Sequence, residues 1–366
     1  MALSLGIVGL PNVGKSTLFN AITQSNVEAS NYPFCTIDPN VGIVTVPDHR
    51  LKVLSGISKS QKIIPTAIEF WDIAGLVQGA SKGEGLGNQF LANIREVQAL
   101  LHVVRCFEDE NILHVEGRID PLSDIDIINL ELILADLSTL EKRIQGNSKK
   151  MKSQDKTILE QMVVYEKLKN ALDAGKPARI VELTDQEESH LKDLSLLSRK
   201  PVIYVANVSE NDISFGLEQK YVKKIVPIAK EEKALIIVIS SKIEQEISQL
   251  SPEEAAEYFS AIGITESGLD KLAKASYELL GLISYLTTGE KETRAWAIKK
   301  GTKGPQAAAV IHSDFEKGFI KAEVVSYEDL VRSGSFQKAR EEGVLRLEGK
   351  EYVVRDGDCV DFKVNA

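Results

Sequence analysis

Apolar and polar positions divide the chain into three textures. Over the first 110 residues, short apolar runs alternate with polar or helical stretches, the pattern of an α/β sheet. Leu3 to Val8 reads as a buried strand, Lys15 to Gln24 as a helix and Val41 to Val46 as a second strand. Thr66 to Trp71 and Leu100 to Phe107 read as further strands. The pattern lapses, then resumes at Pro201 to Asn207 and Ala234 to Ser240, β-branched runs ending in polar residues, as buried parallel strands do.

In the gap, Leu130, Ile133, Leu137, Leu140 and Ile144 recur at helical spacing and share one stripe. Gly146, Asn147 and Ser148 are expected to break that helix. Ile158, Met162, Tyr165, Leu168 and Leu172 mark a second stripe, which Gly175 and Pro177 end. Two antiparallel helices of about 20 residues project on the order of 30 Å. Residues 121–200 therefore read as a helical hairpin inserted between two strands, the alternative being helices packed flat on the sheet. After Gly281 come short alternating segments: Arg294 to Ile298, Phe319 to Val325, Val344 to Leu347, Tyr352 to Val354 and Cys359 to Val364. Glycine-rich turns separate them, predicting a small β-rich domain with one or two helices.

A length of 366 residues suggests two or three domains. No run approaches the roughly 18 apolar residues needed to span a bilayer. The N-terminus enters a strand pattern without a basic segment and small-residue cleavage site, so no secretory signal is expected. Cys35, Cys106 and Cys359 lie far apart, which argues against a disulfide framework or a CxxC metal site. A cytoplasmic protein is expected. Residues 283–366 hold equal numbers of acidic and basic side chains, so the net charge of −9 resides in the remainder. That balance argues against general polyanion binding as the main activity and leaves a local basic face open.

Candidate chemistry begins at Gly9-Leu-Pro-Asn-Val-Gly14-Lys15-Ser16, which fits G-x-x-x-x-G-K-[ST] between a strand and a helix. The amides of Asn12, Val13, Gly14, Lys15, Ser16 and Thr17 would cradle phosphates at a helix N-terminus. Lys15 would neutralise the β/γ oxygens, and the Ser16 hydroxyl would ligate Mg²⁺. Asp72-Ile-Ala-Gly75 ends a strand as the D-x-x-G element of GTPase-type proteins does, with Asp72 holding Mg²⁺ through water and the Gly75 amide meeting the γ-phosphate. Thr36, on the intervening loop, would close on metal and γ-phosphate, with a plain turn threonine as the alternative.

Two departures from the GTPase pattern matter. Leu76 stands where Ras-like enzymes carry a water-orienting glutamine. Asn207-Val208-Ser209-Glu210 replaces N-K-x-D: Glu210 is one methylene too long to read guanine, and Val208 lacks the reach of a lysine. Adenine becomes the expected base, with Ser240 and Ser241 lining the base pocket.

GLPNVGKST, NYPFCTIDPN, DIAGLVQGASKGEGLGNQF, NVSE and HSDFEKGFIKAEV together resemble the YchF or Obg-like ATPase family, essentially end to end. The resemblance implies an α/β P-loop NTPase fold: a G domain over residues 1–120 and 201–282, an inserted coiled-coil-like helical domain over 121–200, and a C-terminal TGS domain of β-grasp fold over 283–366. It also implies ATP hydrolysis and association with ribosomes; the competing readings are a GTP-specific Obg-like enzyme and a nucleotide-gated scaffold with negligible turnover. His114 matches the family's proposed catalytic histidine and stands between positioning water and a structural role. His102, in a buried-strand pattern, reads as structural. Asn12 resembles the asparagine that supplies a K⁺ ligand in cation-dependent relatives. Lys149, Lys150 and Lys152, with Lys299, Lys300 and Lys303, are the candidate RNA contacts of the helical and TGS domains, or else solvated clusters. Cys35, beside Thr36, offers a thiol near the switch. A monomer with no membrane partner is expected.

Overall fold

The computed structural model describes residues 3–24, 40–73, 86–109, 118–150, 155–191 and 193–365. In chain order its elements are β1 (Ser4–Val8), α1 (Lys15–Gln24), β2 (Val41–Thr45), α2 (His49–Ser58), β3 (Lys62–Ile64), β4 (Ala67–Asp72), α3 (Leu86–Glu96), β5 (Ala99–Arg105), α4 (Pro121–Lys150), α5 (Lys156–Asp173) and α6 (Asp185–Ser189). Next come β6 (Val202–Asn207), α7 (Val222–Glu231), β7 (Leu235–Ile239), α8 (Ser241–Ile247), α9 (Pro252–Ile262) and α10 (Gly268–Leu279). The chain finishes with β8 (Leu282–Thr288), β9 (Glu292–Lys299), α11 (Gly304–Ile311), α12 (Asp314–Gly318), β10 (Phe319–Ser326), α13 (Tyr327–Ser333), α14 (Phe336–Glu341), β11 (Arg346–Glu348) and β12 (Asp358–Val364). None of the described helices is long and apolar enough to cross a membrane.

The chain divides into two compact units. The first holds a six-stranded sheet in the order β2-β4-β1-β5-β6-β7. Its pairings β1·β4, β1·β5, β5·β6 and β6·β7 are all parallel. Every residue of β1, β5 and β6 is buried, as parallel strands covered on both faces require. Because β1 lies between β4 and β5, the strand order reverses there, and a crevice opens outside the carboxyl ends of the strands.

The insertion lies between β5 and β6, where α4 and α5 pack through Ile133, Leu140, Met162, Tyr165, Leu168 and Leu172. Gly146 does not break α4, which runs on to Lys150 and is about 45 Å long. A helical glycine costs only about 1 kcal/mol relative to alanine. Asn147 next to it donates to Gln161 Oε1 at 3.2 Å, tying the two helices together. Leu130, placed on the core stripe by spacing, is instead 51% exposed, while Ile128 and Leu132 are buried.

The second unit is a mixed sheet in the order β11-β10-β12-β8-β9-β3. Two antiparallel pairs, β8·β9 and β10·β12, meet along a central parallel pairing of β12 with β8. Helix α11 lays Ala307 and Ala308 on Tyr285, Phe319 and Val324. This is the β-grasp arrangement that the resemblance implied. The central strand β8 has no clear alternation and went unread in the sequence. Four helices stand where one or two were expected. Tyr352 to Val354 forms only an isolated bridge to Lys303.

Residues 44–68 belong to this second unit, although the sequence reading gave all of 1–120 to the first. Strand β3 runs parallel to β9, with Lys62 opposite Glu292. Leu51 and Leu54 of α2 pack on Leu286, Ala295 and Val325. Arg50 pairs with Asp356 at 2.8 Å, and the Ser60 and Thr293 hydroxyls meet at 2.7 Å. A ten-residue helix and a three-residue strand carry no local signal of which sheet they will join.

Candidate functional site

The turn between β1 and α1 is a sequence of backbone conformations that few residues tolerate. Asn12 has φ +63° and Gly14 φ +95°. A Cβ on Gly14 would stand 2.1 Å from Asn207 Nδ2, and one on Gly9 would stand 2.7 Å from the Val103 carbonyl oxygen. Both glycines therefore let the loop lie against β5 and β6.

Asn207, at the buried end of β6, ties the site together. Its amide donates to the Val13 carbonyl at 2.8 Å, and its oxygen accepts from the Ser241 N–H at 2.9 Å. One side chain thus joins the glycine loop to the start of α8. Lys15 forms an ion pair with Asp72 at the end of β4, with side-chain exposures of 12% and 23%. Ser16 and Thr17 open α1 beside them.

These residues line a cleft of about 700 Å³, a size suited to a small-molecule ligand. Its lining joins Asn12, Gly14, Lys15, Ser16 and Thr17 of the glycine loop to Asn207, Val208, Ser240 and Ser241. Val13 is fully buried and contributes its peptide rather than its side chain. The buried Ser241 hydroxyl makes no hydrogen bond among the described residues. Thr36, Gly75, Leu76, His114 and Cys35 lie outside the described residues. His102 is buried in β5 with its ring 5.5 Å from that of Tyr204, and burial, then Arg179, lowers its pKa to about 3. Lys149 and Lys150 end α4, and Lys152 is outside the described residues. Lys303 pairs with Glu351.

The sequence reading missed two parts of the cleft. Lys242 reaches back to Glu210 at 3.1 Å, and that hydrogen bond holds the ammonium above its ordinary range. Phe107, Glu108 and Asp109 form a wall after β5. Glu108 is bonded by Lys220 and by the Tyr221 hydroxyl, which hold its carboxyl below the usual range. The legible signal for Lys242 was its position, third after the strand ending at Ile239. For Glu108 nothing local distinguished it from a solvated acid.

Residues 4–133 match the family model MMR_HSR1, described as "50S ribosome-binding GTPase". Residues 282–365 match the model YchF-GTPase_C, described as "Protein of unknown function (DUF933)". The chain is 57% identical to the "Ribosome-binding ATPase YchF" of Bacillus subtilis (strain 168) over 100% of both chains. It is 51% identical to the protein of the same name from Haemophilus influenzae, again over 100% of both. The solved "Structure of the Schizosaccharomyces pombe YchF GTPase" superposes with a TM-score of 0.87 at 40% identity, covering 99% of this chain and 97% of that one. With full-length identity, both family models and the superposed fold in agreement, this chain belongs to the YchF family.

Proposed function

We propose that this chain is a ribosome-associated ATPase that converts ATP to ADP and phosphate and acts as a nucleotide-dependent switch in the cytoplasm. Relatives of the same full length are named ribosome-binding ATPases. The observation that carries the base preference is the pairing of Glu210 with Lys242. A guanine reader presents a free carboxylate to the N1 and N2 hydrogens. Here that carboxylate is engaged by an ammonium, and the neighbouring Val208 is buried without a polar group to offer. The Ser241 hydroxyl has no partner among the described residues and, with Ser209, Ser240 and Gln245, is among the polar groups of that wall that would meet a base or ribose.

At the phosphate end, the Ser16 hydroxyl and the Asp72 carboxylate are hard oxygen donors of the kind Mg²⁺ takes, with Thr36 as the third protein ligand. When bound there, Mg²⁺ supplies neutralisation of charge on the β/γ oxygens. Lys15, paired with Asp72, would turn to the phosphates, and Gly75 would offer its amide to the γ-phosphate. The Asn12 side chain is the K⁺ ligand in this reading, and equal turnover in KCl and NaCl at matched ionic strength would remove that role. His114 positions the attacking water, since Leu76 has no polar atom to do so. Among the described residues no arginine lines the cleft, so unassisted turnover is slow.

Competition for a fluorescent nucleotide tests the base preference: ATP is expected to displace it at lower concentration than GTP. A GTP advantage of about tenfold or more overturns the assignment. Co-sedimentation with ribosomal subunits in each nucleotide state tests the partner, and equal absence from the pellet in every state overturns it.

A further inference from the structure

Outside the cleft, residues 219–230 contain four lysines and no acidic residue, in a chain whose net charge is −9. They run from three residues before α7 through its body. Lys223, Val226, Pro227 and Lys230 are exposed, and their i, i+3, i+4, i+7 spacing puts them on one face of the helix. Lys220 and Lys224 flank the Tyr221 ring, with ammonium-to-centroid distances of 4.7 and 5.6 Å. Just before the helix, the segment Glu210–Glu218 turns sharply at Gly216 (φ +52°, ψ −130°). That turn presents Phe215 at 58% exposure and Leu217 at 49%. Large apolar side chains held in water beside a row of ammonium groups match neither a core nor an ordinary solvated face.

We propose that this surface, the Lys223–Lys230 face of α7 with the adjoining Tyr221 and Lys224 flank and the exposed Phe215 and Leu217 before it, binds a single-stranded or looped segment of RNA. The chemistry is complementary on both counts. Unstacked bases lie on aromatic rings, and phosphates are neutralised by lysines spaced along a helix. Among the described residues, Lys223 pairs with Glu218 at an exposed pair and Lys220 with the exposed Glu108 and the Tyr221 ring, so both ammonium groups exchange readily onto phosphate. The location also has a consequence for the cleft. Glu108 is part of its wall, and Lys220 and Tyr221 are what hold Glu108. RNA that draws Lys220 away frees that wall, so RNA and nucleotide binding are coupled, and the coupling is reciprocal.

The inference names a partner chemistry for the ribosome association proposed above, and its test reads separately from that association. The probe is a fluorescently labelled 20-nucleotide single-stranded RNA of mixed sequence, titrated by anisotropy with the full-length protein across a salt series. The double variant Lys223→Glu/Lys230→Glu is expected to weaken binding and to flatten the salt dependence by roughly one unit of log–log slope per lysine lost. Phe215→Ala is expected to weaken binding about tenfold while leaving that slope unchanged, because stacking releases no counterions. All three positions are on the surface, and matching thermal melts confirm that the variants are folded. Parent-like RNA affinity in the double variant overturns the proposal. So does a double variant that loses co-sedimentation with ribosomes yet binds the RNA like the parent, because the face would then belong to a protein partner. A variant that loses RNA binding but still pellets with ribosomes supports the RNA face and leaves the ribosome association carried elsewhere.

Discussion

Two ion pairs in the first unit show how the same chemistry serves opposite ends. At the root of the helical insertion, Arg179 and Glu232 have side chains only 5% exposed. Arg179 also donates to Asn129 and, at 3.1 Å, to the Ser198 carbonyl. Glu232 accepts in addition from Asn129 at 3.1 Å and from the Tyr204 hydroxyl at 2.5 Å. In the cleft, Lys15 and Asp72 are more exposed, and their mutual contact is the one side-chain hydrogen bond recorded for either among the described residues. The first pair is saturated from all sides and therefore fixed. The second keeps valence in reserve, so each partner can be transferred to something else. A buried charge that must stay needs every lone pair satisfied, whereas a charge that must meet a phosphate or a metal must not be.

The comparison breaks most visibly at the root. Arg179→Ala removes the charged partner of buried Glu232 and the donor to the Asn129 oxygen, and is expected to destabilise the fold by about 3–5 kcal/mol, read by denaturant unfolding. Loss below about 1 kcal/mol would mean that solvent reaches the network. In the cleft, Lys15→Ala should leave stability nearly unchanged, yet lower ATP turnover roughly 10²–10³-fold by removing charge stabilisation from the transferring phosphoryl group. Nucleotide titration and a thermal melt measured together would separate the two effects, and nucleotide binding as tight as the parent's would sink the phosphate assignment.

A smaller effect sharpens the picture through pH. His102 is buried neutral, with a pKa lowered to about 3 from 6.5, first by burial and then by Arg179. The unfolded chain therefore binds a proton below about pH 6.5 that the native state refuses until about pH 3. Stability is full above that window and falls as the pH drops through it, by about 2 kcal/mol between pH 7 and pH 5. His102→Leu should flatten that part of the stability curve, and an unchanged acid slope would assign the loss to other groups. Smallest of all is Lys242→Ala. The pair with Glu210 is exposed, so freeing the carboxylate is expected to shift the ATP-to-GTP affinity ratio toward GTP by less than about fivefold. No shift at all would show that the pair does not govern the base preference.

How much of this was legible in the sequence differs element by element. The G-x-x-x-x-G-K-[ST] loop was readable because its function depends on backbone conformation, and only particular residues supply it at fixed spacing. Strands β5 and β6 were readable because full burial on both faces makes an unbroken apolar run. Strand β8 was not, since Leu282 to Thr288 mixes apolar residues with Ser284, Thr287 and Thr288, whose hydroxyls find partners only in the folded unit. Asn207 was placed correctly in the cleft, but its two bonds, to Val13 and to Ser241, span 194 and 34 residues. Spacing along the chain cannot show which distant backbone a side chain will reach.

What the sequence by itself determined is local: which segments are buried strands, which are amphipathic helices, and where a phosphate-binding turn must fall. Each of these follows from neighbours a few residues apart. Tertiary structure alone decided that α2 and β3, which lie between two strands of the first sheet, complete the second unit, that Arg179 finds Glu232, and that Lys242 covers Glu210. Those outcomes depend on burial and on pairing across tens to hundreds of residues, where the free energy of a contact exists only once both partners have been brought together.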